Sequence, residues 1–183
     1  MTHFFFQGKL IYWINEMDKF QVCQFIKGFP GTGKSTLCSV ALNMFDNDDV
    51  SDIANRGEQI FGMAAYYKSF LAANTDVRRD FNIDPSFLQK AISGERVRIP
   101  IKNVNGGENI LWKTQLLFAG NMFPKFDGEC ARALSRRMIV FQLDKPVDNS
   151  TDNPNLLNEI MQEEMGCFIL AANEAYRQWL DGE

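Results

Sequence analysis

The sequence predicts a three-layer α/β domain: a central, mostly parallel sheet with helices on both sides, a β-hairpin insertion and a helical C-terminal end. Three observations carry that expectation. A glycine-rich loop, Gly28-Phe29-Pro30-Gly31-Thr32-Gly33-Lys34-Ser35-Thr36, separates a β-prone apolar run from a helical stretch. Two later apolar runs, over 69–73 and 116–119, end in polar residues, as buried parallel strands do. From 154 to 180 the apolar side chains return with a helical period.

The loop fits the G-x-x-x-x-G-K-[ST] pattern of a phosphate-binding loop. Its glycines, Gly28, Gly31 and Gly33, allow a tight turn whose N–H groups converge on phosphate oxygens. Pro30, Thr32 and Thr36 complete the cradle, Lys34 supplies a point charge for the β- and γ-phosphates, and the Ser35 hydroxyl is placed to ligate Mg²⁺. The preceding strand, over 19–27, and the following helix, over 34–45, give the setting in which a helix N-terminus adds partial positive charge.

Composition bounds the rest. With 183 residues, 45% of them apolar and sixteen of them Phe, the chain fits one folded domain with a substantial core. No apolar run approaches the ~20 residues that span a bilayer, and the N-terminal residues do not read as a secretory signal. Cys23, Cys38, Cys130 and Cys167 form no C-x-x-C pair, and with His3 as the single histidine no familiar zinc spacing exists. Buried free thiols in a reducing, intracellular compartment are the expectation. The net charge of −4 conceals a division: from Lys68 to Lys145 there are thirteen Lys/Arg against eight Asp/Glu, a net of +5, which leaves −9 elsewhere. A basic middle reads either as a polyanion surface or as ordinary solvated charge.

In order, residues 4–18 read as a helix packed on the core, and 47–51 as an acidic link with a short strand nearby. A short helix is expected over 56–63. After the run 69–73 comes Asp76, read either as the acid that holds the Mg²⁺ water shell or orients the attacking water, or as a turn cap. Asp84 and Pro85 open a helix ending at Ile92. Residues 96–102 alternate basic and apolar side chains, and 110–118 return as a second strand, making a hairpin with Lys102, Asn103 and an Asn-Gly-Gly turn at its tip. Such a hairpin could enter a nucleic-acid channel, with Trp112 either stacking on bases or sitting in the core. Asn121, ending the next buried run, is placed to sense the γ-phosphate or the attacking water. A helix over 129–135 leads to Arg136 and Arg137 before the strand 138–141; these are a finger toward a neighbour's phosphate or a structural ion pair. Gly166 is expected to break the C-terminal helical stretch in two. The resulting division is an N-terminal helix (1–18), a phosphate-loop core (19–145) and a C-terminal helical segment (146–183).

The order of these pieces resembles the helicase domain of superfamily 3, in the primase-helicase branch of viruses, phages and plasmids. The residues that carry it are Asp18-Lys19-Phe20-Gln21-Val22 and the loop itself, then Glu58-Gln59-Ile60-Phe61-Gly62 and Ser93-Gly94-Glu95-Arg96-Val97. Gly120-Asn121-Met122-Phe123-Pro124 and Ser135-Arg136-Arg137-Met138-Ile139-Val140-Phe141 follow. The resemblance implies an AAA+-type ATPase that uses ATP and Mg²⁺, assembles as a ring, usually hexameric, and translocates on single-stranded DNA to unwind forked duplex during replication. It implies Lys34 and Ser35 in the nucleotide loop, Asp76 as the Walker B acid shared with Ser35 at the metal, Asn121 as the sensor, and Arg136 or Arg137 as the finger. Arg98, Lys102 and Asn103 match the hairpin that contacts DNA. A primase, as a domain or a separate protein, is an implied partner, and a virus-encoded motor would work in the host cytoplasm or nucleus. Many relatives carry Glu where this chain has Asp76, and ~1 Å of misplacement at such a group costs ~100-fold. Two other readings stand beside it: a small phosphate-loop nucleotide or metabolite kinase, and a non-catalytic nucleotide-binding ring.

Overall fold

The computed structural model describes residues 20–55, 65–100, 107–126, 129–148 and 153–181. The helices expected over 1–18 and 56–63 and the hairpin tip with Lys102 and Asn103 lie outside them.

Strand β1 (Cys23–Gly28) leads into the loop and helix α1 (Lys34–Leu42), followed by β2 (Val50–Asp52) and β3 (Leu71–Asn74). Helix α2 (Pro85–Ile92) precedes the pair β4 (Arg96–Ile99) and β5 (Glu108–Leu111). Then come β6 (Gln115–Gly120), α3 (Glu129–Ser135) and β7 (Met138–Leu143). The central sheet has the order β2-β3-β6-β1-β7, and its paired strands are all parallel. β4 and β5 form a separate antiparallel pair.

The inner strands β3, β6 and β1 are mostly apolar and buried because both faces of the sheet are covered there, and period-two alternation divides their side chains between two cores. Phe25, Ala72, Leu116 and Phe118 face one side, packed with Leu88, Ile92 and Leu134 from α2 and α3. Ile26, Leu71, Ala73, Leu117 and Ala119 face the other, packed with Cys38 and Ala41 of α1. The expected three layers are therefore present. Asp84 caps α2 by accepting from the N–H groups of Ser86 and Phe87, with Pro85 at the first helical position.

Two expectations are corrected. The return strand expected over 110–118 is two strands: β5 completes the hairpin, and the chain turns through Trp112 to join the central sheet as β6. The break is made by side chains that satisfy the backbone. The Trp112 indole N–H donates to the Thr114 carbonyl at 2.8 Å, and the Thr114 hydroxyl reaches the carbonyls of Tyr66 and Ser69, each at 2.9 Å. Trp112, 1% exposed, stands edge-on to Phe87 and belongs to the core rather than to a nucleic-acid surface. Gly166 does not divide the C-terminal helices. The chain runs from α4 (Leu156–Glu159) through a π-helical turn (Ile160–Glu164) into α5 (Met165–Asp181), and Gly166 lies inside α5. An isolated glycine weakens a helix without ending it, so the irregularity is the π turn just before it. α5 packs on β7 through Ala175 against Phe141.

Candidate functional site

The loop 29–33 leaves the carboxyl end of β1 and enters α1 at Lys34. Gly31 and Gly33 have φ of 75° and 81°, the left-handed region that side chains resist. Gly28 is needed for a different reason: a Cβ there would stand 2.6 Å from the Leu143 carbonyl oxygen and 2.7 Å from Thr32 Oγ1. The loop holds itself in shape. The Thr32 hydroxyl and the Lys34 ammonium both donate to the Phe29 carbonyl at 2.8 Å, and the Val147 N–H donates to the Gly31 carbonyl at 2.8 Å. The segment after β7 therefore lies along the loop. Pro30 and Ser35 are exposed and Thr36 is half-buried, with the Ser35 hydroxyl at the N-terminus of α1. One turn further, burial pushes the Cys38 thiol up to about 11, with Lys34 pulling the other way. Cys38 is a neutral packing group. Cys23 is likewise a buried free thiol, and Cys167 is an exposed one.

The sheet brings two more candidates to the same edge. β6 lies beside β1 with Gly120 level with Lys27, so Asn121 stands next to Gly28, its side chain exposed. β3 lies on the far side of β6, about 10 Å from β1 at ordinary strand spacing. Asp76 lies two residues past its end. Its carboxylate is exposed and meets the Arg78 guanidinium at 3.0 Å. Asp76 also takes part in a network that sequence reasoning missed. Buried Asn74 accepts from the Asp76 N–H at 3.0 Å, and Asn55 donates to the Asp76 carbonyl at 2.8 Å. Asn55 Oδ1 in turn accepts from the Arg78 N–H at 2.9 Å and from the Asn74 amide at 3.3 Å. Asn74 carried a legible signal, a polar residue closing an apolar run; Asn55 carried none.

The two arginines before β7 have different fates. Arg137 is half-buried and spent on internal bonds: to Ser93 Oγ at 3.1 Å, the Ala133 carbonyl at 3.1 Å and Gln21 Oε1 at 3.3 Å. Arg136 is exposed and has no hydrogen bond or ion pair among the described residues. β7 runs parallel to β1, with Met138 level with Cys23 and Leu143 level with Gly28. Arg136 therefore sits at the opposite edge of the sheet from the loop, about 20 Å away along the strands. It cannot serve the loop of its own chain.

On β4, Arg96 and Arg98 point outward while Val97 and Ile99 are buried, and Arg98 is level with exposed Asn109 on β5. The base of the hairpin joins the amino edge of β6, the same edge that carries Arg136.

A cavity of about 580 Å³ opens beside the loop, between α1 and the C-terminal helices. Gly33, Thr36 and Leu37 form one side, and Ile160, Glu164 and Phe168 the other. Among the described residues no three His, Cys, Asp or Glu side chains gather as a metal cluster, and no described helix is long and apolar enough to cross a membrane. A magnesium site of the phosphate-loop kind needs neither, because Mg²⁺ keeps most of its waters and takes one or two protein oxygens plus phosphates. The Ser35 hydroxyl and the Asp76 carboxylate, both exposed on the loop edge, fit that donor set.

By sequence, no protein-family model and no curated protein matches the chain. By structure, it aligns with the NrS-1 C-terminal region (305-718) at a TM-score of 0.65 and 17% identity, covering 94% of this chain and 43% of that one. It aligns with JCV helicase at 0.51 and 14% identity, covering 99% of this chain and 60% of that one. The same helicase with a bound thiazolopyridine compound gives 0.52, with 97% and 54% covered. The chain thus spans less than half of the NrS-1 region and at most three-fifths of these JCV helicase chains. At such identities the likeness is one of fold.

Proposed function

We propose that this chain, which has the fold of a superfamily 3 helicase domain, is an ATP-driven DNA helicase motor. It would hydrolyse ATP to move along single-stranded DNA and open forked duplex in the replication of a viral or mobile-element genome. The observation that carries the reading is the separation of loop and finger: a complete phosphate loop at one edge of a parallel sheet, and at the other an exposed Arg136 with no hydrogen bond or ion pair among the described residues. A site built this way becomes whole only when a second copy brings its Arg136 to the loop, which supports a closed ring, hexameric as the resemblance to superfamily 3 implies.

Within that reading, the N–H groups of Gly31 to Ser35 and the Lys34 ammonium hold the β- and γ-phosphates, Lys34 leaving the Phe29 carbonyl to do so. Ser35 and Asp76 would hold Mg²⁺, which would supply charge neutralisation on the phosphate oxygens. Asp76 and Asn121 orient the attacking water, and Arg136 of the neighbour stabilises the charge that develops on the γ-phosphoryl group. Arg98 and the hairpin residues Lys102 and Asn103 contact the DNA backbone. The core over 19–145 is then the motor, and 146–183 a helical end beside the nucleotide loop. A primase is the natural partner of such a motor.

The test is ATP turnover by the wild type and by Lys34→Ala, with and without single-stranded DNA, across protein concentrations. Turnover should rise with DNA and with concentration, and fall at least ~100-fold in Lys34→Ala. A wild type that binds ATP but never turns it over, at high concentration and saturating DNA, would sink the motor. One observation favours a second reading, a ring that ATP merely holds together: the Asp76 carboxylate is exposed and occupied by Arg78. Assembly that depends on ATP without hydrolysis would select it.

A further inference from the structure

The motor reading leaves the nucleoside half of the nucleotide unassigned. We infer, resting on that reading of the loop, that the cavity between α1 and the C-terminal helices holds the nucleoside, accepts guanine as readily as adenine, and reads the base edge through Glu164.

Continuity is the first argument. Gly33 and Thr36 belong to the phosphate loop and line the cavity at the same time, so a nucleoside leaving phosphates seated on the loop has this space directly before it. Its volume of about 580 Å³ lies within the usual range for small-molecule sites. The walls suit the flat faces of a base: Leu37, Ile160 and Phe168 are apolar or aromatic. The second argument is the backbone. π-helical turns are rare and concentrate at functional sites. Here the turn runs from Ile160 to Glu164, and both of its end residues line the cavity. Four residues apart, Ile160 and Glu164 share a face and put an apolar side chain and a carboxylate on the same wall.

The third argument is donor and acceptor chemistry. Apart from the Thr36 hydroxyl and the Cys167 thiol, the polar side chain lining the cavity is the Glu164 carboxylate. A carboxylate only accepts. Adenine offers it one donor, the amino group, beside a ring nitrogen whose lone pair repels it. Guanine offers a ring N–H and an amino N–H side by side, which a carboxylate takes in parallel, charge-assisted fashion. The described lining therefore offers adenine no donor–acceptor pair beyond the Thr36 hydroxyl and the Cys167 thiol, which either base can use, and one charged group that favours guanine.

The experiment uses the full chain with Mg²⁺ and follows displacement of mant-ADP by ADP, GDP, IDP and UDP. GDP should compete within about threefold of ADP, and IDP, which keeps the ring N–H and lacks the amino group, should fall below GDP. Glu164→Gln separates reading from packing, because an amide accepts from adenine's amino group and donates to its ring nitrogen. It should weaken GDP about tenfold and leave ADP equal or tighter. Phe168→Ala should weaken both. ADP binding more than tenfold tighter than GDP, with Glu164→Gln leaving GDP unmoved, overturns the inference while the loop reading stands. Absence of any nucleotide binding, or mant-ADP binding indifferent to Lys34→Ala, overturns the loop reading and this inference with it.

Discussion

At the scale of single residues, the phosphate loop shows how a pattern in the sequence has two separate physical causes. Gly31 and Gly33 answer to backbone conformation, with nothing near enough to object to a Cβ except the positive φ itself. Gly28 answers to crowding, since the end of β7 and the loop's own threonine press against it. Gly28→Ala should therefore do more than stiffen the chain. The methyl group would push either Leu143 or Thr32 aside, and a displaced Thr32 loses its bond to Phe29, which shapes the loop. Overpacking of this kind costs about 1–3 kcal/mol, so the thermal midpoint should drop by several degrees. Affinity for ADP should fall at least ~10-fold, because N–H groups moved by ~1 Å no longer converge on one phosphate. An Ala variant with wild-type affinity would show that the loop does not bind phosphate in the conformation seen here.

At the scale of elements, the hairpin and the turn that follows it separate what is structural from what is exposed. Trp112 stitches the end of β5 to the start of β6, and its ring is buried against Phe87. Trp112→Ala should cost about 3–5 kcal/mol, enough to unfold a marginal domain. Trp112→Phe keeps most of the packing, so it should stay folded and bind single-stranded DNA as the wild type does, measured by fluorescence anisotropy. A selective loss of DNA binding in a well-folded Phe variant would return Trp112 to the DNA surface. The same region shows where the sequence was legible. The buried parallel strands were, because burial on both faces demands an unbroken apolar run such as that in β6. The cap of α2 was, because Asp84 and Pro85 each act on their own local backbone. The division between β5 and β6 was not: 110–118 reads as one continuous run, and the break depends on Thr114 reaching two carbonyls some forty-five residues away in the chain. The π turn was equally hidden, since no residue type in 160–164 marks it, and Gly166 drew attention to the wrong residue. In the site, the loop was legible from spacing alone, whereas the Asn55–Asn74–Asp76 network required knowing that β2 and β3 end side by side.

At the scale of the whole molecule, the parallel sheet sets the loop and Arg136 at opposite edges, which is the ground for the intermolecular site proposed above. Every βα connection delivers its following loop to the carboxyl edge, which collects the phosphate loop, Asp76 and Asn121. Every residue that precedes a strand goes to the other edge, which collects Arg136 and the base of the basic hairpin. One chain thus carries the glycine-rich loop at one edge and Arg136 with the hairpin base at the other, and in the proposed ring, copies stacked edge to edge would join the two. This makes a sharp prediction about mixtures. Lys34→Ala keeps its Arg136 but has no working loop; Arg136→Ala keeps its loop but has no finger to offer, and should lose ~10³-fold in turnover on its own. Mixed in equal amounts, a subunit with an intact loop sits beside one with an intact finger about a quarter of the time, so turnover should recover to roughly that fraction of wild type. Arg137→Ala, whose side chain is engaged within its own chain, should lose stability instead and complement nothing. If the two inactive variants stay inactive together while each still assembles, as seen by light scattering, Arg136 does not complete a neighbour's site. The separation of the two edges would then be a property of the fold alone.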